Sequence, residues 1–166
     1  MSSSRHRLSG LPALAALLAV AGCSSSDDGA AAAVPRPDAA VAKLCRNLDA
    51  KLPRTVDGQR RSDPRPASAL TAGWGSPVII LRCGVPRPPK MIDPKVAEGS
   101  DPDAVAGAVN GVDWLMERQG GGGYRFTTAN REAYVEVSVP AVRDSATVLV
   151  ALAPAVQKAI PEGIAD

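Results

Sequence analysis

Histidine is almost absent from this sequence, because the only one among its 166 residues is His6. His6 lies in an N-terminal segment that has the features of an export signal, so the remaining chain would contain no imidazole. That absence excludes nucleophiles activated by histidine, histidine as a general base, and zinc sites with histidine ligands. An enzyme built on the rest of the chain would depend on carboxylate, lysine, serine or tyrosine side chains.

The chain also has few aromatic residues and, after residue 22, no excess of basic residues. Aromatic side chains make up 3% of the chain, so Val, Ile, Leu and Ala must fill the core. Residues 1–22 contain two basic residues, Arg5 and Arg7, and no acidic residue. The rest of the chain therefore contains 17 of the 19 basic residues and all 17 acidic residues. A formally neutral domain lacks the basic face expected of a nucleic-acid-binding protein. We therefore expect no nucleic-acid partner.

The apolar run near the N-terminus, residues 8–20, is shorter than the roughly 20 residues that a membrane-spanning helix needs, and Pro12 interrupts it. Basic residues precede it, and the Val20-Ala21-Gly22-Cys23 sequence at its end resembles the lipobox of bacterial lipoproteins. The pattern predicts a signal peptide over residues 1–22 and acylation of Cys23, for example with palmitate. The lipid would hold the chain at the extracytoplasmic face of the cell membrane. The alternative is a conventional signal peptide, after which Cys23 is an unmodified thiol.

The two other cysteines are Cys45 and Cys83. An even number of thiols in an oxidising compartment predicts a disulfide between them. The alternative is a pair of free thiols with a redox role, but the sequence lacks the C-x-x-C spacing typical of such sites.

The region after residue 22 divides into a tether and one domain. Residues 23–38 are rich in Ser, Ala and Pro and predict a flexible, lipid-bearing tether, whereas residues 39–166 are long enough for a single domain with one core. Apolar residues recur at helical spacing after Asp38. This spacing predicts an N-terminal helix that begins at this cap and ends before Pro53.

Most of the later domain has the character of strands. The predicted strands are residues 78–83, 104–109, 112–117, 124–128 and 133–139. Asn110-Gly111 predicts a hairpin with a type I′ turn between the second and the third. Residues 146–160 are apolar and contain Pro154, which leaves two alternatives: a helix kinked at this proline, or a strand followed by a helix that starts there. Either gives an α+β fold in which a largely antiparallel sheet packs against an N-terminal and a C-terminal helix, with one disulfide.

The candidate ligand contacts are Trp74, Arg82 and Trp114, because a tryptophan beside an arginine suits a small-molecule cleft. Packing in the core is the alternative for both tryptophans. The four glycines at residues 120–123 lack the Lys and Ser or Thr of a phosphate loop, and they predict a turn. The acidic segment at residues 93–103 lacks the spacing of a calcium loop. We therefore expect no metal ion and no cofactor.

Three segments together resemble the DUF3515 family of actinobacterial proteins: Trp74-Gly75-Ser76-Pro77-Val78-Ile79-Ile80-Leu81-Arg82-Cys83-Gly84, Val109-Asn110-Gly111-Val112-Asp113-Trp114 and Tyr134-Val135-Glu136-Val137. Cys45 and residues 154–161 extend the resemblance over residues 41–161. The resemblance implies an exported or membrane-anchored protein of unknown function, and it supplies no catalytic or ligand-binding residue.

These observations favour a non-enzymatic, lipid-anchored module that binds or assists envelope proteins or cell-wall precursors. One alternative is an envelope hydrolase or transferase that uses paired carboxylates. Its candidate pairs join Asp113 or Glu117 to Glu132 or Glu136. The other alternative is a receptor for a small ligand, with a cleft near Trp74.

Overall fold

The structure, a computed structural model, describes residues 30–76 and 78–165. The helices are α1 (Ala39–Asp49), α2 (Pro94–Ala97) and α3 (Ser145–Ala159). The strands are β1 (Thr55–Val56), β2 (Gln59–Arg60), β3 (Thr71–Trp74), β4 (Ile79–Cys83), β5 (Ala104–Val109), β6 (Val112–Arg118), β7 (Tyr124–Thr128) and β8 (Val135–Val139). Short 3-10 turns occupy Pro89–Ile92 and Gly120–Gly122. None of the helices in these ranges has the length and apolar character needed to span a bilayer.

Six of the strands form one antiparallel sheet in the order β3-β4-β8-β7-β6-β5, and β1 pairs with β2 in a small separate hairpin. The inward residues of β8 share one buried cluster with the apolar positions of α1 and α3, so the two longer helices cover one face of the sheet. The structure confirms the predicted α+β fold, with its largely antiparallel sheet, its N-terminal and C-terminal helices and its disulfide.

Helix α1 forms where its cap and its apolar spacing predict it. The Asp38 carboxylate accepts hydrogen bonds from the backbone N–H groups of Ala40 at 2.7 Å and Val41 at 3.0 Å, which satisfies two of the unpaired donors of the first turn. Cys45 and Leu48 are buried on the inner face of the helix. A disulfide joins Cys45 to Cys83, at the end of β4, and so links α1 covalently to the sheet.

The turn between β5 and β6 has the geometry that its sequence predicts. Asn110 and Gly111 have φ angles of +46° and +73°, the left-handed conformation required at both central positions of a type I′ turn. The Gln157 side chain of α3 donates a hydrogen bond of 2.9 Å to the carbonyl of Asn110, which ties the turn to the helix.

Residues 145–159 form a single helix that continues through Pro154, which decides between the two alternatives that the sequence leaves open. The Asp144 carboxylate caps its first turn by accepting a hydrogen bond from the N–H of Thr147 at 2.6 Å, and this bond lowers the pKa of Asp144. Val148, Leu152 and Val156 are fully buried at helical spacing. This burial offsets the backbone hydrogen bond that the proline cannot donate.

Part of the segment that the sequence assigns to the tether forms backbone hydrogen bonds with the domain. The N–H of Ala32 donates to the carbonyl of Arg65 at 3.0 Å, and the N–H of Arg65 donates to the carbonyl of Ala30 at 2.8 Å. Ala32 is also buried, at 8% exposure. The signal peptide, Cys23 and the rest of the tether lie outside the described residues.

The connection between β4 and β5, residues 84–103, covers the sheet face away from α1 and α3. It must pass three strands, because β8, β7 and β6 lie between its two ends. Met91 and Val96 pack with Ala104 and Leu115 in a second apolar cluster. A hydrogen bond between Lys90 and Asp101 links the two halves of this connection. This bond lowers the pKa of Asp101 and raises the pKa of Lys90.

Candidate functional site

The start of α1 lines a cavity of about 510 Å³, which we call the arginine cavity. It lies between two stretches of identical sequence, Val34-Pro35-Arg36-Pro37 and Val85-Pro86-Arg87-Pro88, and both contribute lining residues. The remaining walls come from the beginning of α1, from the residues before β8 and from the end of the chain. The lining residues are Arg36, Pro37, Asp38, Val41, Gly84, Val85, Pro86, Arg87, Ala133, Tyr134, Ile164 and Ala165.

Gly84 directly precedes the second Val-Pro-Arg-Pro segment and lies against Pro37 of the first. This glycine has a φ angle of +83°, a conformation that favours glycine, and a Cβ atom built on it would lie 2.6 Å from Cγ of Pro37. Its N–H donates a hydrogen bond of 2.9 Å to the carbonyl of Tyr134. Prolines on both sides of each arginine restrict the backbone, so the guanidinium groups extend from segments that have little freedom to move.

The arginine cavity is suited to an acidic group. Arg36 and Arg87 are exposed, and neither forms an ion pair or a side-chain hydrogen bond with the residues that the structure describes. The Asp38 carboxylate is engaged by the N–H groups of α1. Tyr134 is 7% exposed, and its hydroxyl forms no hydrogen bond within residues 30–76 and 78–165. Planar guanidinium groups suit the oxygens of a phosphate, and two arginines line this cavity.

Trp74 and Trp114 both lie in the core, not in a common cleft. Trp74 has no exposed surface, and its indole N–H donates to the carbonyl of Pro53 at 3.0 Å. A ligand would have to displace the core to reach this ring, which corrects the expectation of a cleft near Trp74. Trp114 is 2% exposed within the same core, and its indole N–H is buried without a hydrogen-bond partner in the described part of the chain.

Arg82 lies on the sheet face that the β4–β5 connection covers, and it binds a carboxylate of its own sheet. Its guanidinium contacts Glu136 of β8 at 3.1 Å, across the pairing of the two strands. Arg125 of β7 contacts Glu117 of β6, also at 3.1 Å. Two of the three glutamates in the proposed carboxylate pairs, Glu117 and Glu136, therefore form ion pairs within the sheet.

The other two candidate carboxylates, Asp113 and Glu132, have different surroundings. Asp113 accepts a hydrogen bond of 3.0 Å from the side chain of Asn130 and lines a second cavity, of about 430 Å³, beside β5. Glu132 is exposed next to Gly163. Neither the arginine cavity nor the cavity beside β5 is lined by two of these four carboxylates.

The acidic residues of the β4–β5 connection have structural partners. Asp93 caps α2 by accepting a hydrogen bond of 3.0 Å from the N–H of Lys95, and Asp101 binds Lys90. Across residues 30–76 and 78–165, no three acidic, cysteine or histidine side chains converge on a point where a metal ion would fit.

Sequence reasoning missed Arg36, Arg87 and Tyr134, although the two arginines carried a readable signal. The tetrapeptide Val-Pro-Arg-Pro occurs twice, once before α1 and once after β4. The repeat marks two arginines in the same local context, but only the fold brings them to one cavity.

The comparisons with known proteins give one match. A family model described as "Protein of unknown function (DUF3515)" matches residues 8–165. No curated protein and no solved structure matches the chain.

Proposed function

The chain belongs to the DUF3515 family, and we propose that it is a lipid-anchored, extracytoplasmic binding module whose arginine cavity holds a phosphate group. The observation that carries the proposal is the convergence of the two Val-Pro-Arg-Pro segments on one cavity. A phosphate offers at least three acceptor oxygens and up to two negative charges, which suits two guanidinium groups better than a single carboxylate does.

The location follows from the cysteines. The basic start, the short apolar run and the Ala21-Gly22-Cys23 sequence support export and acylation at Cys23. The Cys45–Cys83 disulfide supports the same compartment, because disulfides persist outside the reducing cytoplasm.

A lipid at Cys23 would keep the cavity close to the membrane. Six residues lie between Cys23 and Ala30, where the chain contacts the domain, and the seven Cα–Cα steps from Cys23 to Ala30 span at most about 25 Å. The ligands within such reach are phosphate-bearing envelope components, including lipid head groups and membrane-bound cell-wall precursors.

Substitution of both cavity arginines tests the binding site. We expect Arg36→Gln combined with Arg87→Gln to weaken binding roughly 100-fold or more, because each substitution removes a charge-assisted hydrogen bond worth about 1.5–3 kcal/mol in a favourable site. The measurement is calorimetric titration of the full-length chain, held in an uncharged detergent, with inorganic phosphate and with short-chain phosphatidylglycerol. Binding of the lipid alone would assign the site to a head group, and binding of both would assign it to phosphate in general.

The matched control is Arg46→Gln combined with Arg54→Gln, which removes the same charge from two exposed arginines outside the cavity. We expect this variant to bind like the unsubstituted chain. Equal losses in the two double variants would show a general charge effect, and absence of binding by the unsubstituted chain would rule out the phosphate site.

Acylation is tested separately in cells that carry the full-length gene. We expect radiolabelled palmitate to be incorporated into the unsubstituted chain and the label to be lost in Cys23→Ala, because Cys23 provides the thiol that is modified. Cys45→Ala should keep the label. A chain that never acquires label, or that keeps it after Cys23→Ala, contradicts the anchor without bearing on the cavity.

A further inference from the structure

Among residues 30–76 and 78–165, strand β5 has a neighbouring strand on one side only and forms an open edge of the sheet. It lies at one end of the strand order with β6 as its neighbour, and Val105, Ala106, Gly107 and Ala108 are exposed. The opposite edge, β3, is covered, because the N–H of Ser62 donates to the carbonyl of Gly73 at 2.8 Å. The β5 sequence contains no charge and no proline, the features that usually protect an exposed edge from pairing.

The hydrogen bonds of the hairpin define which β5 groups are free to pair. The N–H of Arg118 donates to the carbonyl of Asp103 at 2.7 Å, and Val109 faces Val112 across the two-residue turn. Because bonded and non-bonded pairs alternate in an antiparallel ladder, the odd-numbered residues of β5 bond to β6. The N–H and C=O groups of Ala106 and Ala108 therefore point to the open edge.

The residues at this edge read the same in both directions: Val105-Ala106-Gly107-Ala108-Val109. A second copy aligned antiparallel, with Gly107 opposite Gly107, places Ala106 opposite Ala108 of that copy. These are the residues whose backbone groups point outwards, so each such pair exchanges two hydrogen bonds. The same register places Asp103 opposite Gly111 of the second copy, so no like charges meet.

Gly107 has no role within its own chain that requires glycine. Its φ angle lies outside the positive region, and a Cβ atom built on it would meet no atom within 4 Å. In the register described, Gly107 lies on the two-fold axis as a non-hydrogen-bonded pair, in which the Cα atoms approach to about 4.5 Å. Side chains at such a pair stand perpendicular to the sheet and directly beside one another, so residues substituted at position 107 would face each other across the axis.

We propose that two copies of this chain pair through β5 and join their two six-stranded sheets into one continuous antiparallel sheet. The inference is independent of the arginine cavity and of the lipid anchor. A copy of the same chain is the occupant for three reasons. The edge sequence is palindromic, the residues that point outwards pair with one another in the antiparallel register, and no like charges face each other. An isologous contact of this kind closes after two copies.

Cysteine cross-linking tests the register. Gly107→Cys brings two thiols together on the axis, within the Cα separation of 4.4–6.8 Å that a disulfide requires. In Ala106→Cys the two thiols are offset by two residues along the strands, and in Val105→Cys by four, so both serve as matched controls. The full-length chains are purified in an uncharged detergent, oxidised and separated on non-reducing gels.

We expect roughly tenfold or more disulfide-linked dimer for Gly107→Cys than for either control, because the control geometries lie outside the range that a disulfide spans. The unsubstituted chain, treated identically, measures any dimer that forms through Cys23. Equal yields in all three variants, or no dimer in Gly107→Cys, overturn the proposal, and a chain that stays monomeric while another protein occupies β5 overturns it as well.

A second measurement decides the matter if Gly107→Cys fails to fold. Sedimentation of the unsubstituted chain in the same detergent should give a dimer, and Gly107→Lys should give a monomer, because two ammonium groups would meet on the axis. A monomeric unsubstituted chain, or a dimeric Gly107→Lys, contradicts pairing through β5.

Discussion

Replacement of both Cys45 and Cys83 by alanine is expected to lower the free energy of unfolding by up to about 4 kcal/mol, which is the loop-closure value for a cross-link between residues 38 apart in the sequence. Both sulfurs are buried, at 1% exposure, so the alanines also leave small cavities in the main core. A domain of this size is typically stable by 5–15 kcal/mol, so the loss is a large part of the total. Urea unfolding followed by tryptophan fluorescence measures it.

Reduction of the unsubstituted chain separates the cross-link from the packing. The reduced protein keeps both sulfur atoms but loses the bond, so it should show most of the loss, while Cys23→Ala should unfold like the unsubstituted chain. A loss below about 1 kcal/mol for both the reduced chain and the double variant would contradict a stabilising role for the disulfide.

The Cys45–Cys83 disulfide also holds together two elements that line the arginine cavity. Cys83 directly precedes Gly84 and the second Val-Pro-Arg-Pro segment, and Cys45 lies in the helix whose start follows the first. The disulfide therefore connects the two elements that hold Arg36 and Arg87. Guanidinium groups on a fixed frame bind an anion with less loss of conformational freedom than groups on independent loops.

Most of the regular structure could be predicted from the sequence because local signals agreed with the fold. Asp38, Asn110 and Gly111 have the cap and turn conformations that their residue types favour. Strand β3, Thr71-Ala72-Gly73-Trp74, was not predicted, because alanine and glycine have low strand propensity and the strand forms through pairing with β4. The β1–β2 hairpin was also missed, although Asp57-Gly58 is a strong turn signal.

The candidate site was harder to predict, because its residues come together only through tertiary structure. The side-chain types favoured Trp74 and Arg82 as ligand contacts. In the structure Trp74 lies in the core and Arg82 forms an ion pair with Glu136. Arg36 and Arg87 lie in proline-rich stretches that look like exposed linkers. Their importance depends on the close contact of Pro37 with Gly84, and no spacing rule in one sequence predicts that contact.

Trp74 is expected to be among the most sensitive positions of the core. Trp74→Ala should lower the free energy of unfolding by about 3–5 kcal/mol, because it removes a fully buried ring and leaves a cavity in the main hydrophobic cluster. Trp74→Phe should cost less, about 1–3 kcal/mol, because it keeps an aromatic ring but leaves the partly buried carbonyl of Pro53 without its donor. Urea unfolding followed by circular dichroism compares the variants.

Trp114→Phe is the matched control, because the Trp114 indole N–H has no hydrogen-bond partner among the described residues and its removal breaks no such bond. Both substitutions exchange a buried indole for the same smaller ring, so the difference between their unfolding free energies isolates the Trp74 hydrogen bond. We expect Trp74→Phe to be the less stable of the two. Equal stabilities would show that the bond to Pro53 contributes nothing, and a Trp74→Ala chain as stable as the unsubstituted one would place this ring outside the core.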